Sequence, residues 1–204
     1  EDTGHAVFHS NTGGRIACVS CHPEAGDDGR VWTFSNTGAR RTQTLLGTIK
    51  DTAPYHWGGD APSMHTFAET VFNQRMGGQV LRGDQVGALQ GWLEATKTPP
   101  VDVPSDTAAI ARGKQLFASS AVGCTSCHSG PKLTNNQTVD VGTGGAFQVP
   151  SLLGVSAHAP FLHDGCAKTL LDRFGSCGGG DKHGHTSGLT EAEKKDLATY
   201  LESL

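Results

Sequence analysis

Cys18-Val19-Ser20-Cys21-His22 recurs as Cys124-Thr125-Ser126-Cys127-His128. C-x-x-C-H is the attachment signature of a c-type haem. The two thiols add across the porphyrin vinyl groups, and the adjacent His ligates iron from beneath the ring. Two intervening residues let both sulfurs reach the two vinyls from one turn of chain. A C-x-x-C pair alone also serves as a redox dithiol or as half of a zinc site. Zinc wants two pairs close together, whereas these start 106 residues apart. A redox dithiol wants a βαβ context without the immediate His. The expectation is two covalently attached haem c groups. Cys18, Cys21, Cys124 and Cys127 are the thioether positions, and His22 and His128 the proximal iron ligands.

Composition agrees with a haem-filled interior. Of 204 residues, 36% are apolar, and 28 are Gly. That is about twice the usual Gly share of ~7% and predicts a loop-rich chain with tight turns. Two haems supply apolar bulk that side chains need not. The net charge is -4 before any haem propionates. No basic block points to nucleic acid. No apolar run approaches the about 18 residues that would span a bilayer. The chain begins Glu1-Asp2-Thr3 without a signal-peptide pattern, and reads as a mature protein or an excised domain.

Of the 6 cysteines, the motifs use all but Cys166 and Cys177. Their spacing, among Gly165, Gly175 and Gly178 to Gly180, suits a loop-closing disulfide; two free thiols are the alternative. Such a loop would contribute roughly 2–3 kcal/mol by the chain-entropy model. Covalent haem and a disulfide both predict a periplasmic or otherwise extracytoplasmic compartment.

Along the chain, helices are expected over residues 4–8, 63–72, 83–96, 108–117, 168–174 and 190–201. Val86, Leu89, Trp92 and Leu93 mark the apolar side of the third. Trp32 and Phe34 form a brief extended piece. Ser105 or Asp106 caps the fourth helix, and Thr190 with Glu193 makes a capping box for the last. The Pro-rich stretch 99–105 reads as a linker.

The halves on either side of it repeat. Thr44-Leu45-Leu46-Gly47 is echoed by Ser151-Leu152-Leu153-Gly154. Ala53-Pro54 and Ala159-Pro160 each lie 31 residues after their motif His, and Gly59 and Gly165 each lie 37 after it. This register predicts a duplication. The first cytochrome c-like haem domain covers residues 1–98 and the second 106–204. The fold class is mostly α, with long haem-wrapping loops.

Each iron then needs a sixth ligand. Met76, in a Gly-flanked loop, lies 54 residues after His22, and His183 lies 55 after His128. The expected pairs are His22/Met76 and His128/His183, with His185 the alternative to His183. The alternatives are that Met76 is core and that either loop His is solvated. Met64, spaced with Phe67 and Val71, reads as core. His56, His65, His158 and His163 are further ligand candidates; His5 and His9 read as surface residues. Thioether ligation raises potential relative to bis-His, so the first haem should be the higher-potential one.

The sequence resembles the di-haem cytochrome c peroxidase superfamily, which includes MauG-like enzymes. The residues carrying this are the two haem motifs, Val149-Pro150-Ser151-Leu152-Leu153-Gly154, and Ala159-Pro160-Phe161-Leu162-His163-Asp164-Gly165 with Lys168-Thr169-Leu170. His56-Trp57-Gly58-Gly59-Asp60 resembles the family's F-W-D-G-R. Cys21-His22-Pro23-Glu24 with Asp28-Gly29 and Trp32 is similar to di-haem domains found behind β-propellers. The resemblance implies haem domains packed about a pseudo-two-fold axis with a Trp between the haems. By position that is Trp57, an interhaem electron relay, with a plain core aromatic as the alternative. It also implies a calcium ion between the haems, whose ligands these residues do not identify.

The departures bear on activity. The family's peroxidases keep a Glu beside the Met that corresponds to Met76; here Gln74-Arg75 precedes it. Glu69 is the nearest Glu and should face a helix surface. Met76 on iron would block peroxide. The expected function is therefore electron transfer between two haems and external redox partners. The alternative is a peroxidase or MauG-like oxidase. A module fused to, or docked on, a larger partner is a third expectation.

Overall fold

The computed structural model describes residues 3–204. Two crossed helix pairs frame it. Helix α1 (Thr3–His9) packs on α3 (Gly83–Ala95), and α4 (Thr107–Ala118) packs on α5 (Glu191–Glu202). Each crossing is made at a glycine. A Cβ on Gly4 would lie 2.2 Å from the Ala88 carbonyl oxygen, and one on Gly113 2.0 Å from that of Asp196. Backbones meet this closely only where no side chain intervenes.

The long helices follow their sequence signals. In α3, Val86, Leu89 and Leu93 are buried, three and four residues apart. In α4, Asp106 caps: its carboxylate accepts from the Ala109 N–H at 2.9 Å. In α5 the capping box forms. The Glu193 carboxylate accepts from the Thr190 N–H at 2.8 Å, and the Thr190 hydroxyl accepts from the Glu193 N–H at 3.3 Å.

Two expected helices are altered. Instead of one helix over 63–72, α2 spans only Met64–Phe67, and the chain continues as a wider π-type coil over Ala68–Arg75. The Thr70 hydroxyl donates back to the Thr66 carbonyl at 2.8 Å, and the coil ends with the Met76 N–H bonded to the Val71 carbonyl. Side-chain back-bonding of this kind competes with the regular ladder. The expected helix over 168–174 is only a tight turn, Leu171–Phe174. The Asp172 carboxylate takes the Lys168 and Thr169 N–H groups, and Gly175 stops the turn. This loop is closed by a Cys166–Cys177 disulfide.

The extended piece at Trp32 is half of a hairpin, β1 (Val31–Phe34) with β2 (Gly38–Arg41). A second hairpin, β3 (Thr138–Asp140) with β4 (Ala146–Gln148), has no counterpart among the sequence expectations. α-Helices therefore build the cores, while most of the chain is turn and loop.

Local features recur at one spacing. Tyr55 bridges Ala61, and Phe161 bridges Ala167. His56 at φ 70° and Leu162 at φ 69° are both left-handed. One apolar cluster contains Phe8, Met64, Phe72, Leu89 and Leu93; the other contains Phe117, Leu170, Leu197, Tyr200 and Leu201. Thr98 lies against both repeated Leu-Leu-Gly turns. Its side chain is 2.3 Å from a Cβ built on Gly47 and 2.6 Å from one built on Gly154. Among the described residues no helix is long and apolar enough to cross a membrane.

Candidate haem-binding site

Both motifs fold as the same short turn. The Cys21 and His22 N–H groups donate to the Cys18 carbonyl at 3.2 and 2.9 Å; those of Cys127 and His128 donate to the Cys124 carbonyl at 3.3 and 2.9 Å. All four thiols are free and half-buried. Burial pushes the Cys18 thiol up to about 11, and raises Cys21 and Cys124 as well. A redox-active dithiol requires the opposite shift, so that reading of C-x-x-C loses support.

The two motif histidines share one orientation. His22 Nδ1 donates to the Gly26 carbonyl at 3.3 Å, and His128 Nδ1 to the Leu133 carbonyl at 3.0 Å. Burial lowers both imidazoles, His128 to about 4, so both are neutral at pH near 7. A carbonyl only accepts, so the proton sits on Nδ1 and the Nε2 lone pair is left for a metal.

Opposite His128 stands His183, with ring centroids 6.4 Å apart and planes 33° from parallel. Burial, then the charge of Arg173, pushes His183 down to about 3. His185 is exposed and its N–H is tied to the Val122 carbonyl. Met76 is half-buried and outside the apolar cluster that contains Met64. The Met76 carbonyl accepts from Thr12 Oγ1 at 2.6 Å and from the Gly14 N–H at 2.9 Å, which fastens its loop to the chain leading into Cys18.

Trp57 lies where the two halves meet. Its indole N–H donates to the Arg41 carbonyl at 2.7 Å. Its ring stands edge-on to Phe147 and His163 of the second half, at 6.4 and 6.3 Å. His163 is stacked on Phe147 at 3.8 Å. His65 is exposed.

Three groupings were not legible in the sequence. The Asp27 carboxylate joins Arg41 and His158 at 2.8 Å each, with all three side chains largely buried. Arg41 Nε and His158 Nε2 are buried without a partner among the described residues. Asp60 joins His56 at 3.0 Å and Arg75 at 2.7 Å, one residue before Met76. The Arg173 guanidinium lies 3.8 Å, and Cys124 Sγ 3.9 Å, from a Cβ built on Gly184. Burial pushes that guanidinium down to about 10. The F-W-D-G-R-like stretch already contained Asp60. Nothing local marks Arg173 or the Asp27 contacts, which span up to 131 positions.

No family model matches the chain. It is 25% identical to hydrazine synthase subunit gamma of Kuenenia stuttgartiensis over 94% of this chain and 72% of that protein. It is 24% identical to the methylamine utilization protein MauG of Methylorubrum extorquens over 98% of this chain and 76% of that protein. Among solved structures, Kuenenia stuttgartiensis hydrazine synthase superposes with a TM-score of 0.85 at 22% identity, covering 98% of this chain and 86% of that one. The diheme peroxidase BthA of Burkholderia thailandensis gives 0.58 at 16% identity, covering 99% and 84%. With its two C-x-x-C-H turns, the fold is that of di-haem proteins. The chain is a relative of the MauG-like di-haem cytochrome c peroxidase superfamily.

The residues fit haem. With metal–imidazole bonds of about 2 Å, one iron between two Nε2 atoms puts the ring centroids about 6 Å apart. The His128 and His183 ring centroids, 6.4 Å apart, leave room for such an ion, and His183 Nδ1 is buried without a hydrogen-bond partner among the described residues.

Proposed function

We propose that this protein is an extracytoplasmic di-haem c-type cytochrome. It carries electrons between two covalently bound haems and external redox partner proteins, one of which could be a fused or docked larger domain. The observation that carries this is the facing pair His128 and His183, which supports a six-coordinate second haem closed to exogenous ligands. Haem, when bound, supplies a one-electron couple whose potential the axial ligands and burial set.

The chain's own residues do the rest. Cys18 and Cys21, and Cys124 and Cys127, would hold the two groups. The Gly26 and Leu133 carbonyls orient the proximal imidazoles. Met76 would close the first haem and His183 the second. Trp57 would relay electrons between them; its place against Phe147 and His163 supports this. The recurring turns, the paired helices and the two apolar clusters support two tandem cytochrome c-like domains, residues 1–98 and 106–204, related by a pseudo-two-fold.

A second reading is peroxide reduction or MauG-like oxidation at the first haem. The similarity to MauG and to a diheme peroxidase favours it. So does the His56–Asp60–Arg75 chain, a held proton donor and acceptor whose Arg75 immediately precedes Met76 in sequence.

Ligation separates the two readings. In the ferric protein, electron transfer predicts two low-spin haems and a methionine–iron charge-transfer band. His183→Ala converts only the second haem to high spin, and His185→Ala changes nothing. Met76→Ala abolishes the band. A high-spin first haem that reacts with hydrogen peroxide in the wild type would instead establish the second reading.

A further inference from the structure

Outside the haem motifs, three ligand-type side chains converge on one face of α1. His5 and His9 stand one turn apart, and Glu24 reaches them from the turn following Cys21-His22-Pro23. His9 Nε2 lies 2.9 Å from Glu24 Oε1, and His5 Nε2 lies 3.5 Å from Glu24 Oε2. One ligand atom from each of the three falls within 4.8 Å of the others. Gly4 seats α1 on α3, and the His5 ring rests edge-on to Trp92 at 5.4 Å, so the platform is fixed. Glu24 is held in the left-handed region at φ 46°.

The hydrogen bonding raises a question of charge. His9 Nδ1 lies 3.0 Å from the His5 carbonyl oxygen, which only accepts, so Nδ1 carries the proton. Nε2 then turns a lone pair toward a carboxylate that also only accepts. Two acceptors 2.9 Å apart require a cation. A second proton is one answer and a metal ion is the other. Metal–donor bonds of about 2.0–2.1 Å in a tetrahedral array place the donors about 3.3 Å apart. The two observed separations, 2.9 and 3.5 Å, bracket that value. Two His at i and i+4 are how a helix presents paired imidazoles to zinc, and a carbonyl on Nδ1 is the outer contact that orients a metal-bound His.

We propose that His5, His9 and Glu24 form a surface site for a divalent transition metal of the zinc type, with water completing the coordination. The bound ion would tie α1 to the chain leaving the first haem motif. The site involves no haem ligand, so it stands independently of the function proposed above.

Zinc titration of the haem-loaded, chelator-treated protein by calorimetry tests this. One equivalent binds per chain, and the unfolding temperature rises with zinc concentration. His9→Ala and Glu24→Gln each weaken binding by at least about tenfold, with haem absorption spectra unchanged. His65→Ala, an exposed histidine outside the cluster, leaves affinity as it was. Zinc X-ray absorption of the wild-type protein, which needs no variant, shows two imidazole scatterers. Absence of binding at micromolar zinc, sulfur scattering, or binding that survives His5→Ala/His9→Ala would overturn the site.

Discussion

Arg173 makes the proposed second haem position, at Cys124 and His128, electrostatically distinct. Its guanidinium lies near Cys124 and His183, with Thr186 Oγ1 at 3.5 Å as a weak partner and Phe174 beneath it at 5.0 Å. A cation near iron favours the reduced state, and burial weakens the solvent screening that would otherwise mute it. Arg173→Met keeps a flexible stem and removes the charge. Spectroelectrochemistry should then find the second haem's potential lowered by roughly tens of millivolts, with the first haem unmoved. An unchanged or raised potential would count against a guanidinium facing that haem. Arg173 carries no sequence signal, because nothing in Leu171-Asp172-Arg173-Phe174 shows that its side chain turns inward.

Helix crossings and the wider coil set what each element tolerates. Gly113 sits where α4 meets α5, and a Cβ there would overlap backbone at Asp196. Gly113→Ala is expected to destabilise by about 3 kcal/mol, since neither backbone can give. Gly87, on the exposed side of α3, has nothing within 4 Å of a built Cβ. Gly87→Ala should stabilise by about 0.5–1 kcal/mol through helix propensity alone. Thermal unfolding of the two variants checks both signs; a neutral Gly113→Ala would mean that the crossing is looser than described. The 3.6-residue periodicity made α3 readable, and the caps at Asp106 and Thr190 did so for α4 and α5. It could not anticipate the coil over Ala68–Arg75, because widening depends on where Thr70 and the following loop are anchored.

The two halves are joined by a few buried contacts. Asp27, itself paired with Arg41, binds His158, Trp57 stands against Phe147 and His163, and Arg41 N–H donates to the His163 carbonyl at 2.7 Å. Burial alone would raise the Asp27 carboxyl, but the His158 hydrogen bond and the Arg41 charge outweigh it and hold it below the usual range. A carboxyl depressed in the folded state stabilises the fold above its unfolded pKa. That contribution is lost as pH falls through the folded value, below about pH 4. Asp27→Ala leaves Arg41 buried and unpaired, for an expected loss of about 3 kcal/mol. Its unfolding temperature should also depend less on pH in the acid range than that of the wild type. Equal pH slopes would show that Asp27 is not the group titrating. Trp57→Phe should slow electron exchange between the haems, measured by flash photolysis of the half-reduced protein. An unchanged rate would reduce Trp57 to a packing residue.

Short-range chemistry was readable in the chain alone. The C-x-x-C-H turns, the caps at Asp106 and Thr190, and the pairing of Cys166 with Cys177 all depend on residues close in sequence or repeated in register. Such features are written in spacing, because covalent geometry and helical periodicity act over a few residues. Only tertiary structure brought His183 rather than His185 opposite His128, buried Arg173, and drew Asp27 to His158. The same holds for Glu24 and α1, which share a face only because the chain between them turns back. These depend on how loops close over long separations, where the partner of a side chain is selected by packing and burial rather than by its neighbours in sequence.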